Sequence, residues 1–361
     1  MSEQPHLTVN GFMLIDAPHS ALNMLGQVEG AATENQVAIK NIQRGGRDYP
    51  YVSAQALRYW WRNALESERG WEMSPIERER KIAFTQAKPW QYPDDDVFGY
   101  MRAQAERIAD IDKKTGEPKR DTDGEPVLKK GKNTTLTRNS PLKCSPLVSV
   151  TAQRPTRDFG TMSRQDGDPV PYERQFYSSV LKGIFSLDLT VLGHYQRSNR
   201  TGFQNISEEG LTLAEEAGAS VNDGLATISL DERKKRAEDT ISVLPYLSGG
   251  ANQTLHLTDV TPKFVILTVL RGGNHLFMNV AREERGGHAR VNLDALKEIL
   301  KAYKDRLQTD VFIGRRSGFL DEQGDEISTL SDAGGEYPTI HVGEVNAMIS
   351  SFTDQMTACM E

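Results

Sequence analysis

The residues best suited to chemistry are cations grouped around a glycine pair. Lys40, Arg44 and Arg47 surround Gly45-Gly46, and a short distance on Gln55, Arg58 and Arg62 fall at i, i+3 and i+7 of one helical face. Two glycines let a backbone approach a ligand closely, and guanidinium and ammonium groups supply the counter-charge of a phosphate. Ser53 stands at the N-cap of that helix, whose first turn offers further N–H donors. Such a set suits a nucleic-acid backbone better than a nucleotide pocket, since neither a Walker A sequence nor a G-x-G-x-x-G after a strand occurs. An ordinary amphipathic helix with a solvated basic flank is the competing reading. Asp48 is the one carboxylate placed to promote in-line attack by a 2′-hydroxyl; with no partner acid or base nearby, a simple ion pair with Arg44 or Arg47 is the favoured reading. The seven histidines form no H-E-x-x-H pair and have no cysteine at zinc spacing, and no G-x-S-x-G elbow occurs. No catalytic residue, metal ligand or cofactor is therefore assigned.

A second set lies in residues 152–177, where Arg154, Arg157, Arg164 and Arg174 alternate with Phe159, Met162 and Tyr172. A long loop within a domain is uncommon unless functional. Basic residues there could grip phosphates while Phe159 or Met162 wedges between bases; alternatively the loop folds on its own apolar residues. Asn23, Asn252 and Gln253 could face a ligand or only close turns. Asp94-Asp95-Asp96 lacks ligand spacing and is expected to cap or be solvated.

The elements that must carry these residues follow from periodicity. Residues 7–16 read as a strand with a bulge at Gly11, 25–50 as a basic loop, and 53–69 as a helix with Ala54, Leu57, Trp61, Ala64 and Leu65 on one face. Strands are expected at 145–151, 183–193, 255–260 and 263–270. Helices are expected at 231–244, 293–307 and 344–358. The resulting β-α-β-β-α-β order predicts an α+β fold of the ferredoxin-like or RRM-like kind, without the RRM stacking signature. The expected parts are a palm in 1–70, 141–151 and 178–310, a finger insertion at 71–140, a thumb at 152–177 and a C-terminal helical extension at 311–361.

Over 361 residues, 37% are hydrophobic and 26% charged, the composition of a globular protein. The net charge of −7 disfavours indiscriminate coating of nucleic acid, yet the acids gather in 207–240 and 321–344, away from the cations. Cys144 and Cys359 are the only cysteines, no apolar run spans a bilayer, and the first residues lack signal-peptide features. A cytoplasmic protein without membrane partners is expected.

Ala-Pro-His-Ser-Ala-Leu-Asn at 17–23 and Pro-Tyr-Val-Ser-Ala-Gln-Ala-Leu-Arg-Tyr-Trp-Trp-Arg at 50–62 closely resemble the DevR-type backbone subunit of type I CRISPR effector complexes (Cascade), of the I-B subtype. Asp-Asp-Asp-Val-Phe-Gly-Tyr-Met at 94–101, Ser-Pro-Leu at 145–147, Gln-Phe-Tyr-Ser at 175–178 and Phe-Ser-Leu-Asp-Leu at 185–189 extend the likeness over most of residues 5–280. The resemblance implies a non-catalytic subunit stacking head to tail on one crRNA and presenting it to a target DNA strand. It implies as partners further copies of itself, the crRNA 5′-handle-binding subunit, the large subunit and the repeat-processing endonuclease. By motif it assigns crRNA contacts to Asn23, Ser53, Gln55, Arg58 and Arg62, with Lys40, Arg44 and Arg47 at basic positions. Residues 152–177 match the thumb, and 248–253 another RNA-contacting loop. The alternatives are a target-RNA endonuclease acting through Asp48 and a transcriptional autoregulator.

Overall fold

The structure is a computed structural model describing residues 5–27, 36–79, 82–103, 105–109, 119–120, 128–133, 135–164, 166–197 and 204–360. Parts of the expected segments lie outside the described residues: 28–35 of the basic loop, 80–81, 104, 110–118, 121–127 and 134 of the finger, 165 of the thumb and 198–203 of the palm. The chain divides into two compact units, one of Met1–Gly70, Leu142–Thr190 and Lys234–Glu361, the other of Trp71–Pro141 and Val191–Arg233.

The first unit is built on β1 (Leu7–Ser20), whose residues from Thr8 to Ile15 are all buried. A strand this apolar on both faces must be covered on both. Chain order then gives β2 (Met24–Gln27), β3 (Gln36–Ile39), β4 (Asn41–Arg44), β5 (Arg47–Val52) and α1 (Ala54–Arg69). After the second unit's first segment come β6 (Leu142–Cys144), β7 (Leu147–Ser149), β8 (Thr156–Met162) and β9 (Val170–Asp188). The unit continues through α2 (Leu230–Ser242) from Lys234 onward, β10 (Phe264–Arg271), α3 (Leu293–Tyr303), β11 (Val311–Arg315), β12 (Ile340–Gly343) and α4 (Val345–Ala358).

The large sheet runs β12-β11-β10-β1-β9-β7-β5-β4, with β6 and β8 also on β9 and β3 linking β2 to β9. It is mixed: β11 with β12 and β3 with β9 are parallel, and β1 is antiparallel to both its neighbours. Helices cover it on both sides, which makes the fold α+β. On one side the Trp61 ring of α1 meets Phe185 of β9 edge to face at 5.0 Å, and its indole N–H donates to the Thr240 carbonyl of α2. On the other, Phe12 and Leu14 join a cluster with Leu296 and Leu300 of α3.

Several expectations change. Gly11 is no bulge: it pairs in register with Phe185 and Leu267, and the Phe185 ring fills the space a Cβ would need. The irregularity in β1 lies between Ala17 and Ser20. The strand expected at 183–193 begins at Val170 and ends at Asp188, so Val191 lies beyond it. Residues 255–260 form no strand: 255 and 256 end the one-turn helix Gln253–His256, and 257–260 follow it without regular structure. The stretch 311–361 is not purely helical, because β11 and β12 extend the sheet edge. Residues 191–233 pack in the second unit instead of the palm.

In the second unit Tyr195, Ile206, Leu211, Ala214, Ala219, Ala226 and Ile228 form a small core around the helix Glu208–Glu216. Asp94, Asp95 and Asp96 open the helix Pro93–Phe98 and are buried, not solvated. Their carboxylates accept from the backbone N–H groups of Ser74 (2.9 Å), Lys88 (3.0 Å) and Gly193 (3.1 Å) respectively. Asp96 also accepts from Arg138. Neither expected role holds: this helix has no side-chain cap, and the three carboxylates instead tie other segments together inside a core.

Candidate nucleic-acid interface

The expected basic loop contains a hairpin. Gly45 and Gly46, at φ +58° and +72°, make the two-residue turn between β4 and β5, where successive left-handed positions match the twist of the strands. Their left-handed φ serves that turn, and open space surrounds them. The register sets Arg44 opposite Arg47 and Gln43 opposite Asp48. At this exposed end the Arg47 guanidinium donates to the Glu283 carboxylate at 2.5 Å. Lys182 of β9 contributes a cation that sequence reading missed; burial, reinforced by Arg44, lowers its ammonium pKa.

Beside the hairpin is a groove of about 530 Å³, lined on one side by Lys40, Asp48 and Tyr51 and on the other by Arg154, Arg157 and Gln175. Main-chain bonds fix both walls. Lys40 donates to the Asn23 carbonyl and accepts from the Tyr51 N–H, both at 3.0 Å, and the Gln153 N–H donates to the Asp48 carbonyl at 2.8 Å. The structure thus brings Lys40 together with Arg154 and Arg157, which are more than a hundred positions away in the chain. The Arg157 side chain is 62% exposed, its Nε 3.4 Å from the buried Glu173 carboxylate. Asp48 accepts from the Gln43 amide at 3.4 Å, whereas Arg47 turns to Glu283, so the expected Asp48–Arg47 pair does not form.

Residues 152–177, expected as a loop, are largely the antiparallel hairpin of β8 with the first half of β9. Its internal packing uses Tyr172, whose ring lies over Gly160, with the Arg174 guanidinium 4.8 Å from that ring. Phe159 and Met162 are left outward at 68% and 47% exposure, and Arg164 is exposed as well. A fold of the loop onto its own Phe and Met is therefore excluded.

The remaining site residues serve the fold or stand apart. Asn23 Oδ1 accepts from the Ser53 N–H at 3.0 Å, and Ser53 Oγ accepts from the Ala56 N–H at 3.3 Å, so the N-cap is occupied within the chain. Gln55 is exposed on α1. Arg58 is half-buried: it donates to the Leu142 carbonyl beside Cys144, and burial lowers its pKa. Burial likewise pushes the Cys144 thiol up to about 12. Arg62, half-buried, lies close enough to Arg58 to add to that lowering. Helical spacing placed both arginines on one face, but not the strand that covers Arg58. Asn252, at φ +55°, begins the one-turn helix, and its carbonyl accepts from Leu255 and His256. Gln253 donates to the carbonyls of Gly249 and Thr258. The turn packs Gly249 on the Trp60 ring and Gly250 on Leu22, so Gln253 closes it.

Among the described residues, no group of three His, Cys, Asp or Glu could hold a metal ion, and no helix is long and apolar enough to cross a membrane. No curated protein matches the sequence. Among solved structures, a chain of a "CRISPR RNA-guided surveillance complex" is similar at a TM-score of 0.51 and 12% identity, over 97% of this chain and 99% of that one. A chain of a "CRISPR RNA-guided surveillance complex, pre-nicking" aligns at a TM-score of 0.48 and 12% identity, over 98% and 100%. At such identity the first likeness is one of fold. The model of the family described as CRISPR-associated negative auto-regulator DevR/Csa2 matches residues 17–284, most of the sequence, and the chain belongs to that family.

Proposed function

We propose that the chain is a non-catalytic backbone subunit of a type I-B Cascade complex, holding crRNA in the groove at Lys40, Arg154 and Arg157. The carrying observation is that two chain segments, remote in sequence, line one groove with these three cations. Phosphate contacts of this kind hold a strand without reading its bases, which leaves target DNA recognition to Watson–Crick pairing. The exposed Phe159 and Met162 suit the wedge that separates guide bases at intervals. The antiparallel order β10-β1-β9-β7 supports an RRM-like palm, since it is the strand order of a split β-α-β unit. Copies stack head to tail through a heterologous contact, and the guide sets the length of the filament.

The test is RNA retention. Lys40→Glu, Arg154→Glu and Arg157→Glu combined should weaken single-stranded RNA binding roughly tenfold or more and reduce the salt slope by roughly 2. RNA content and affinity equal to wild type would overturn the site. Asp48 keeps a second reading in play, because its carboxylate lines the same groove. Regularly spaced cuts in complementary RNA with magnesium, abolished by Asp48→Ala, would establish the endonuclease in place of the passive backbone.

A further inference from the structure

One ion pair on the first unit joins two hairpins, 236 positions apart in the chain, that backbone pairing does not connect. Glu283 ends the strand Ala281–Glu283, which pairs with Ala289–Val291, and its carboxylate reaches Arg47 at the start of β5. The local cation Arg290 is engaged by Glu284 at 2.9 Å and by Glu326 at 2.9 Å. Glu283 instead meets a guanidinium at the exposed end of the β4–β5 hairpin, opposite Arg44. The Arg47 side chain is 53% exposed, so the pair is open to water and to competing anions.

We propose that Glu283 stands in for an RNA phosphate on Arg47, which lies outside the groove lining, and is displaced when a strand leaving the groove round the end of the β4–β5 hairpin delivers its own. The inference rests on the reading of the groove as an RNA site and adds a regulatory residue to it. A carboxylate and a phosphodiester offer a guanidinium the same paired acceptor oxygens, so one replaces the other without rearranging Arg47. Exposed ion pairs are weak, so exchange is easy once the phosphate is held nearby. A strand already seated on Lys40, Arg154 and Arg157 supplies that phosphate at high effective concentration, which a stray anion does not. Glu283 thereby lowers the affinity of the hairpin end for casual polyanions while yielding to a seated guide. The Arg47 pKa is raised, with the Glu283 hydrogen bond as its main cause, in keeping with this pairing.

The experiment measures binding of a fluorescent oligouridine to the RNA-stripped full chain across a salt series. The proteins are wild type, Glu283→Gln, Arg47→Ala and the double variant. Freeing Arg47 from a weak surface pair should tighten binding about two- to sixfold in Glu283→Gln. Arg47→Ala should reduce the salt slope by about 0.7, and Glu283→Gln should then add nothing in that background. An equal gain from Glu283→Gln with and without Arg47 would show a general charge effect and overturn the stand-in, as would no gain at all. Those outcomes leave the groove intact as long as the Lys40, Arg154 and Arg157 reversal still abolishes binding. If the wild type itself binds no oligouridine at low salt, the groove reading fails and this inference goes with it.

Discussion

Around Asp96 in the second unit, Arg138 is 3% exposed and donates to the Asp96 carbonyl and carboxylate and to the carbonyls of His194 and Val191. Its guanidinium also lies 4.8 Å from the Tyr195 ring. Beside Lys40 in the first unit, Arg157 is 62% exposed and meets Glu173 at 3.4 Å. One residue type thus does opposite work. A guanidinium enclosed by carbonyls holds chain segments together and is closed to a ligand; one at the lip of a groove keeps its N–H groups available. Sequence reading ranks arginines by spacing and neighbours, but the distinction depends on which backbone lies against them.

The contrast can be tested from its stronger side downwards. Arg138→Met strands the buried Asp96 carboxylate and should cost about 3–5 kcal/mol, read as a lower denaturant midpoint. An unmoved midpoint there would dissolve the distinction. Arg58→Met should cost about 1–3 kcal/mol through the lost bond to the Leu142 carbonyl, with RNA affinity preserved. Were RNA lost and stability kept, Arg58 would belong with the groove instead. Arg157→Met should weaken RNA and, because it loosens only a 3.4 Å contact with the buried Glu173, lower the midpoint by less than Arg138→Met does.

A pH-dependent effect concerns protons in the second unit. Burial, with the charge of Arg233 adding to it, pushes His194 down from 6.5 to about 4. Below pH 6.5 the unfolded chain takes up a proton there that the folded chain refuses. This contribution to stability is therefore complete above pH 6.5, declines as pH falls towards 4, and changes no further below that. Urea midpoints of wild type should fall more steeply than those of His194→Gln between pH 7 and 4.5, and parallel curves would contradict the assignment.

Helix α1 was legible because its signals are local: Ser53 caps it, and Leu57, Trp61, Ala64 and Leu65 line the buried face. The strand at the centre of the sheet was legible too, through an apolar run too long for a surface element. Strand β9 was half missed. Its first half, Val-Pro-Tyr-Glu-Arg-Gln-Phe-Tyr, alternates weakly because it pairs with β8 away from the core, where burial imposes no pattern. Missing it hid Lys182 and Gln175 as well. The glycine pair is legible, but its part in a hairpin is not: left-handed φ at both positions serves the turn, and only pairing across the strands shows that. The cations Lys40, Arg154 and Arg157 were each found; that they share a groove depends on contacts between distant residues.

Strand β9 has a mechanical consequence. It runs unbroken for 19 residues, about 60 Å at full extension, from the exposed hairpin to Asp188 beside Thr8. Phe159 and Met162 therefore sit on a cantilever anchored in the hydrophobic centre, with no joint between tip and root. A load on the tip is borne by the ladder with β1, so where the tip points is decided by the stiffness of the central sheet.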